Sequence, residues 1–231
     1  MKSIAIVQSN YLPWKGYFDL IDQVDEFVIL DQVQYTRRDW RNRNKIKTDK
    51  GTQWLTIPVH SKGNYLARIN EVEVFPDWDR NHWNTIKLFY KKASFYDMYS
   101  ERLKELFQKA STFSLLSDIN VFFIKELNKL LNIHTVISMA PDRCMTFEKS
   151  RRLLEICKDR GANVYLSGPA AKSYLDESLF LSEDIEVQWM NYENYAIYNQ
   201  LYPPFQHQVS IIDMLLNVGP DTIQCIREKK P

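Results

Sequence analysis

The first thirty-one residues decide most of what this chain can fold into. Ser3 to Val7 is a short apolar run that stops at the polar Gln8, Ser9 and Asn10. A run of that length with polar borders reads as a buried strand. Leu12-Pro13-Trp14-Lys15-Gly16 is a turn by its proline and glycine. Tyr17, Phe18, Leu20, Ile21 and Val24 then follow at helical spacing. Glu26 to Leu30 is a second apolar run, closed by Asp31. Strand, helix and strand within about thirty residues make a βαβ unit, with parallel strands and a right-handed crossover. Sheets built this way bind ligands outside the carboxyl ends of their strands. Those ends are Gln8-Ser9-Asn10 and Asp31-Gln32.

The rest of the chain extends this plan. Residues 35–52 are polar and basic with no clean period, which predicts a long functional loop. Trp54 to Val59 and Asn70 to Val74 alternate like strands. Helices are expected from about Asp79 to Lys92, Tyr99 to Lys109 and Ser114 to Leu131. Further strands are expected at Thr135 to Met139, Asn163 to Leu166 and Glu186 to Met190. Lys149 to Arg160 reads as a helix stopped by Gly161, and Ser210 begins a last helix. The expected fold is α/β: a Rossmann-like, mainly parallel sheet in a single domain over residues 1–231, with a helical insertion at 77–132.

Composition excludes several functions. The 30 basic and 29 acidic residues leave a net charge of +1, so the whole molecule has no bias toward nucleic acid or membrane. Cys144, Cys157 and Cys225 form no CxxC pair, which argues against a disulfide framework and a thiolate zinc site. His60, His82, His134 and His207 never fall at i, i+3 or i, i+4, and there is no HExxH. No metal or redox cofactor is expected. No apolar stretch approaches the roughly 20 residues of a membrane span, and the opening is too short for a signal-peptide core. The expected location is a reducing cytoplasm, without membrane insertion.

Four segments carry candidate chemistry. The first, Gln8 to Tyr17, follows a strand and opens a helix, where backbone N–H groups and Lys15 favour an anion. It has one glycine and is neither a GxGxxG nor a P-loop. The second, Arg37 to Lys50, holds seven bases and two acids, a local charge of 7 − 2 = +5. Its guanidinium groups suit phosphate, and Tyr35, Trp40 and Trp54 suit a base or sugar ring. The third, Tyr165 to Tyr174, is a strand feeding the small-residue turn Ser167-Gly168-Pro169. The fourth, Tyr202 to Asp213, has prolines that fix an extended loop, then Ser210 and Asp213 spaced like a capping box. His82 is a candidate general base, because its ordinary pKa lies near neutrality.

Ile6 to Phe18, Asp31, Arg41 to Lys47, Trp54 to Val59, Tyr165 to Gly168 and Ser210 to Gly219, in that order, resemble the WbqC-like protein family. The resemblance spans almost the whole chain. It implies a bacterial protein of O-antigen or other surface-polysaccharide biosynthesis, acting on a nucleotide-activated sugar. The chemistry it suggests is acyl or aminoacyl transfer onto the amine of a nucleotide-linked amino sugar. The acyl donor is unidentified, and an aminoacyl-tRNA is one option. In that scheme Arg41, Arg43, Lys45 and Lys15 hold phosphates. Tyr11, Trp14 and Trp40 stack on base or sugar. Gln8, Asn10 and Asn42 bond sugar hydroxyls, Asp31 or His82 takes the proton of the attacking amine, and amides near Ser167 and Gly168 face an oxyanion. Two other readings stay open: a nucleotidyltransferase-like enzyme, although no HxGH histidine pair is present, and a non-catalytic RNA-binding module.

Overall fold

A computed structural model describes residues 1–229. In chain order its strands are β1 Ser3–Val7, β2 Glu26–Ile29, β3 Arg43–Thr48, β4 Gly51–Thr56, β5 Val136–Met139, β6 Val164–Ser167 and β7 Glu186–Trp189. Its helices are α1 Lys15–Asp22, α2 Trp78–Tyr90, α3 Tyr96–Ala110, α4 Leu116–Leu130, α5 Lys149–Asp159, α6 Glu177–Leu181, α7 Ile211–Val218 and α8 Thr222–Arg227. Five strands form one parallel sheet in the order β5-β2-β1-β6-β7. The chain therefore works outward from β1 through β2 to β5, then returns to the other side of β1 for β6 and β7. Strand order reverses between β1 and β6, and a doubly wound sheet opens a crevice at such a point. The fold is α/β and Rossmann-like.

Period-two alternation explains why both faces of the sheet are covered. Ala5, Phe27 and Ile29 join the core shared with α1 and the helices that follow β2. Their neighbours Ile4, Ile6, Val28 and Leu30 join the opposite core, under α5 and α6. Apolar residues at every position of a strand are what a two-sided parallel sheet requires.

The long crossover from β2 to β5 holds α2, α3, α4 and an antiparallel hairpin of β3 and β4. The hairpin corrects the expected loop over 35–52. Its buried face is Asn44, Ile46 and Thr48, with only one apolar residue, so no alternation of apolar and polar residues marked it. Asn70 to Val74 is likewise no regular strand. It opens with a 3₁₀ turn at Ile69–Glu71 and then makes only single bridges, Val59 to Val74 and Glu73 to Leu115. Among the described residues no helix is long and apolar enough to cross a membrane.

Candidate functional site

The segment after β1 runs across the crevice and is pinned from several sides. The buried Asp31 accepts hydrogen bonds from Ser9 N (2.8 Å), Ser9 Oγ (2.6 Å) and Ser117 Oγ (2.5 Å). Asn120 Nδ2 donates to Ser9 Oγ at 3.1 Å and to Arg41 O at 2.8 Å. Tyr11 N donates to Trp40 O at 3.0 Å, and Ile211 N to Pro13 O at 2.8 Å. Leu12 has φ +42°, a left-handed backbone that costs a non-glycine residue about 1–2 kcal/mol. Asn44 Nδ2 holds that bend by donating to Leu12 O (2.8 Å) and Tyr11 O (3.2 Å). A polar residue on the buried face of β3 thus has its reason: it satisfies carbonyls that the bend turns away from any ladder.

Beside this segment lies a cleft of about 240 Å³, lined by Asn10, Trp14, Trp40, Asn44 and Gln208. Two indoles and three carboxamides suit a polyhydroxylated ring, with apolar faces against the rings and hydroxyls against the amides. Trp14 leans on Tyr192 and Tyr195, with ring centroids 5.4 and 6.1 Å away. A Cβ on Gly16 would overlap the Trp14 indole. Gly16→Ala is therefore expected to push Trp14 off the cleft wall, seen as a shift in intrinsic fluorescence with the far-UV circular dichroism kept. An unchanged emission spectrum would refute the packing argument.

Cations lie against the cleft residues and their neighbours. Arg41 is half-buried and donates to Asn10 Oδ1 and to Ser9 O (3.3 Å), with Asp39 3.5 Å away. The Arg43 guanidinium lies 4.1 Å from the Trp54 ring centroid, and Lys45 Nζ lies 4.9 Å from it. Trp54 and Trp40 have centroids 5.3 Å apart. Lys15 opens α1 and is buried, with Nζ 2.9 Å from His207 Nδ1. Its ammonium faces the rings of Tyr195 (5.0 Å), Phe205 (5.5 Å) and Tyr198 (5.6 Å). Burial lowers its pKa to about 8, against the smaller opposing pull of Asp213 and Cys225. Burial, then the Lys15 cation, also holds His207 below its ordinary range.

Other residues singled out in the sequence stand off the cleft wall. Tyr11 is fully buried, edge-on to Trp78 and Phe123, and its hydroxyl donates to His82 Nδ1 at 2.8 Å. His82 Nε2 faces Thr56 O at 3.2 Å, so both ring nitrogens are engaged and burial lowers the pKa to about 4. Asn42 is buried and donates to Ile57 O. Gln8 presents its carbonyl to the Tyr17 hydroxyl at 3.1 Å. Ser167 Oγ donates to the Tyr165 hydroxyl at 3.3 Å, and Gly168 lies under Tyr192. Ser210 caps α7, accepting from Ile212 N. Asp213 is no capping-box acid: it accepts from Tyr198 (2.5 Å), Tyr90 (2.7 Å) and Gln200 (2.8 Å). Burial raises its pKa. Sequence reasoning missed Asn44, Gln208 and the three tyrosines. The tyrosines did carry a signal, the three-residue spacing of Tyr192, Tyr195 and Tyr198 in a segment without regular structure.

Comparison with known proteins agrees with the motif order. A model of the WbqC-like protein family matches residues 8–225. The uncharacterized protein Rv1507c of Mycobacterium tuberculosis is 41% identical over 232 residues, covering 99% of this chain and 100% of that protein. No solved structure matches the chain. A match that begins at Gln8 and ends at Cys225 takes in the segment after β1, the hairpin, the cleft and α7, and on it the chain belongs to the WbqC-like protein family.

Proposed function

We propose that this protein is a transferase that moves an acyl or aminoacyl group onto the amine of a nucleotide-linked amino sugar, in surface-polysaccharide synthesis. The observation that carries the reading is a cleft of two indoles and three carboxamides beside the segment after β1, flanked by Arg41. At about 240 Å³ it is smaller than the roughly 300 Å³ at which pockets for whole small molecules begin. It takes one sugar ring and leaves the nucleotide outside. Trp14 and Trp40 cover the ring, Asn10 and Gln208 bond its hydroxyls, and Asn44 holds the bend that forms the wall. Arg41, Arg43 and Lys45 hold the phosphates.

An amine that becomes an amide must lose a proton. Asp31 and His82 act in this scheme through their neighbours: Asp31 sets Ser9, and His82 sets Tyr11. The proton goes to the Lys15–His207 pair. Lys15 follows Trp14 and His207 precedes Gln208, so the chain joins both members of the pair to cleft-wall residues. A lysine with pKa about 8 supplies some neutral amine near neutral pH.

A thermal-shift panel of nucleotides and nucleotide sugars at fixed salt tests the reading. One nucleotide amino sugar should raise the melting temperature more than its nucleotide alone. Stabilisation should reach about 2.7 kcal/mol at a hundred times its Kd. Arg41→Ala should remove most of that response. A flat panel would overturn the proposal.

A further inference from the structure

We infer that the outer edge of the β3–β4 hairpin is a docking track for the single-stranded 3′ end of an RNA, which brings the acyl group to the cleft as an ester. The inference rests on the transferase reading and names its donor. Three features carry it. First, aromatic surface runs continuously away from the cleft. Trp40 lines the cleft, Trp54 stands 5.3 Å from it, and Trp54 also walls a second, more open hollow of about 610 Å³ with Phe89. Trp40 and Trp54 are 37% and 38% exposed, high for indoles in a protein that buries Tyr11, Tyr90 and Trp78 almost completely. Stacking on such rings binds any base, at about 1–3 kcal/mol each.

Second, the charge along this edge is left uncompensated. Lys47 is buried against Pro204 O, and Arg41 faces Asp39. Arg37, Arg38 and Lys50 remain beyond the cations given to the nucleotide's phosphates, and none of the three forms an ion pair among the described residues. Asp49 is the one acid within that segment left to oppose them. A strand that threads bases over indoles needs cations for its phosphates at the same spacing. Third, the hollow offers the exposed side chains of Thr52 and Gln53 beside Lys50. A hydroxyl and an amide there match the 2′-hydroxyls that distinguish RNA from DNA.

The step balances without an added reactant. The sugar amine's lone pair attacks the ester carbonyl and forms the C–N bond. The C–O bond to the ribose breaks, and the ribose oxygen leaves with the electron pair. It takes up the proton that the amine has lost.

The test uses the full chain and a fluorescein-labelled 12-nucleotide RNA ending in CCA-3′, followed by anisotropy across a salt series. Binding should weaken steeply with salt. Trp54→Ala should raise the Kd at least five-fold, and Lys50→Ala should lower the salt slope by about one phosphate's share. Lys50→Ala should leave the melting-temperature response to the nucleotide sugar unchanged. That response tests the transferase reading separately. RNA that fails to bind at low salt overturns the track. So does RNA that binds equally to wild type and Trp54→Ala, or a Lys50→Ala variant that loses the nucleotide-sugar response while RNA never binds. A matching DNA strand that binds as tightly removes the role given to Thr52 and Gln53 and overturns the choice of RNA.

Discussion

Asp31→Ala is expected to destabilise the protein by about 3–5 kcal/mol, among the largest effects of any single substitution here. The carboxylate is completely buried and holds three donors. Removing it leaves Ser9 N, Ser9 Oγ and Ser117 Oγ unpaired in a space that water does not reach, and each such group costs about 1–3 kcal/mol. The damage would also spread. Ser9 Oγ receives Asn120, and Asn120 in turn holds Arg41 O, so the segment after β1 and the approach to the hairpin share one network. Asp31→Asn should be much milder, at about 1–2 kcal/mol. Its carbonyl still accepts Ser9 N, and the two serine hydroxyls can rotate to accept from its amide. Chemical denaturation of the three proteins measures the order. If the alanine and asparagine variants lose the same stability, the negative charge itself matters rather than the count of acceptors.

The sheet was legible because strands buried on both faces announce themselves. Ala5 and Ile6 point to opposite cores, yet both must be apolar, and so a plain apolar run marks the strand. The site was only half legible, for the opposite reason. Trp14, Trp40 and Asn10 stand out as unusual residues at a strand end, and they do line the cleft. Asn44 and Gln208 carry no local signal, since an asparagine in a basic stretch and a glutamine after a histidine are ordinary. Their place comes from tertiary structure: a hairpin folded over the segment after β1, and the segment before α7 laid beside it. Tyr11 misled in a different way. A tyrosine amid ligand-binding residues invites a stacking role, but this one is buried edge-on to Trp78 and Phe123, where His82 takes its hydroxyl. Asp213 shows the same limit. Its spacing from Ser210 suggests a cap, while the hydroxyls of Tyr90 and Tyr198, 123 and 15 residues away, claim the carboxylate.

Lys15→Met is expected to make the protein more stable at neutral pH, by about 2 kcal/mol, and to abolish transfer. The sign follows from linkage. Lys15 has a folded-state pKa of about 8 against an ordinary 10.5, so the folded state holds this proton less tightly than the unfolded state. Below pH 8 both states carry the charge, and folding bears the whole cost of burying it, about 3 kcal/mol for a difference of that size. The three ring faces around the ammonium recover part of this cost. Between pH 8 and 10.5 the folded state sheds the proton first, so the wild type gains stability with rising pH. The methionine variant has no such gain, and its advantage should shrink toward zero by about pH 10.5. Measuring the two proteins side by side cancels the buried tyrosines, which titrate in both. Its place at the start of α1, against His207 and next in the chain to a cleft-wall tryptophan, fits a proton acceptor. A methionine variant no more stable at pH 7 than at pH 10 would show that Lys15 is not strained by burial. The Lys15–His207 pair would then lose its claim to the proton.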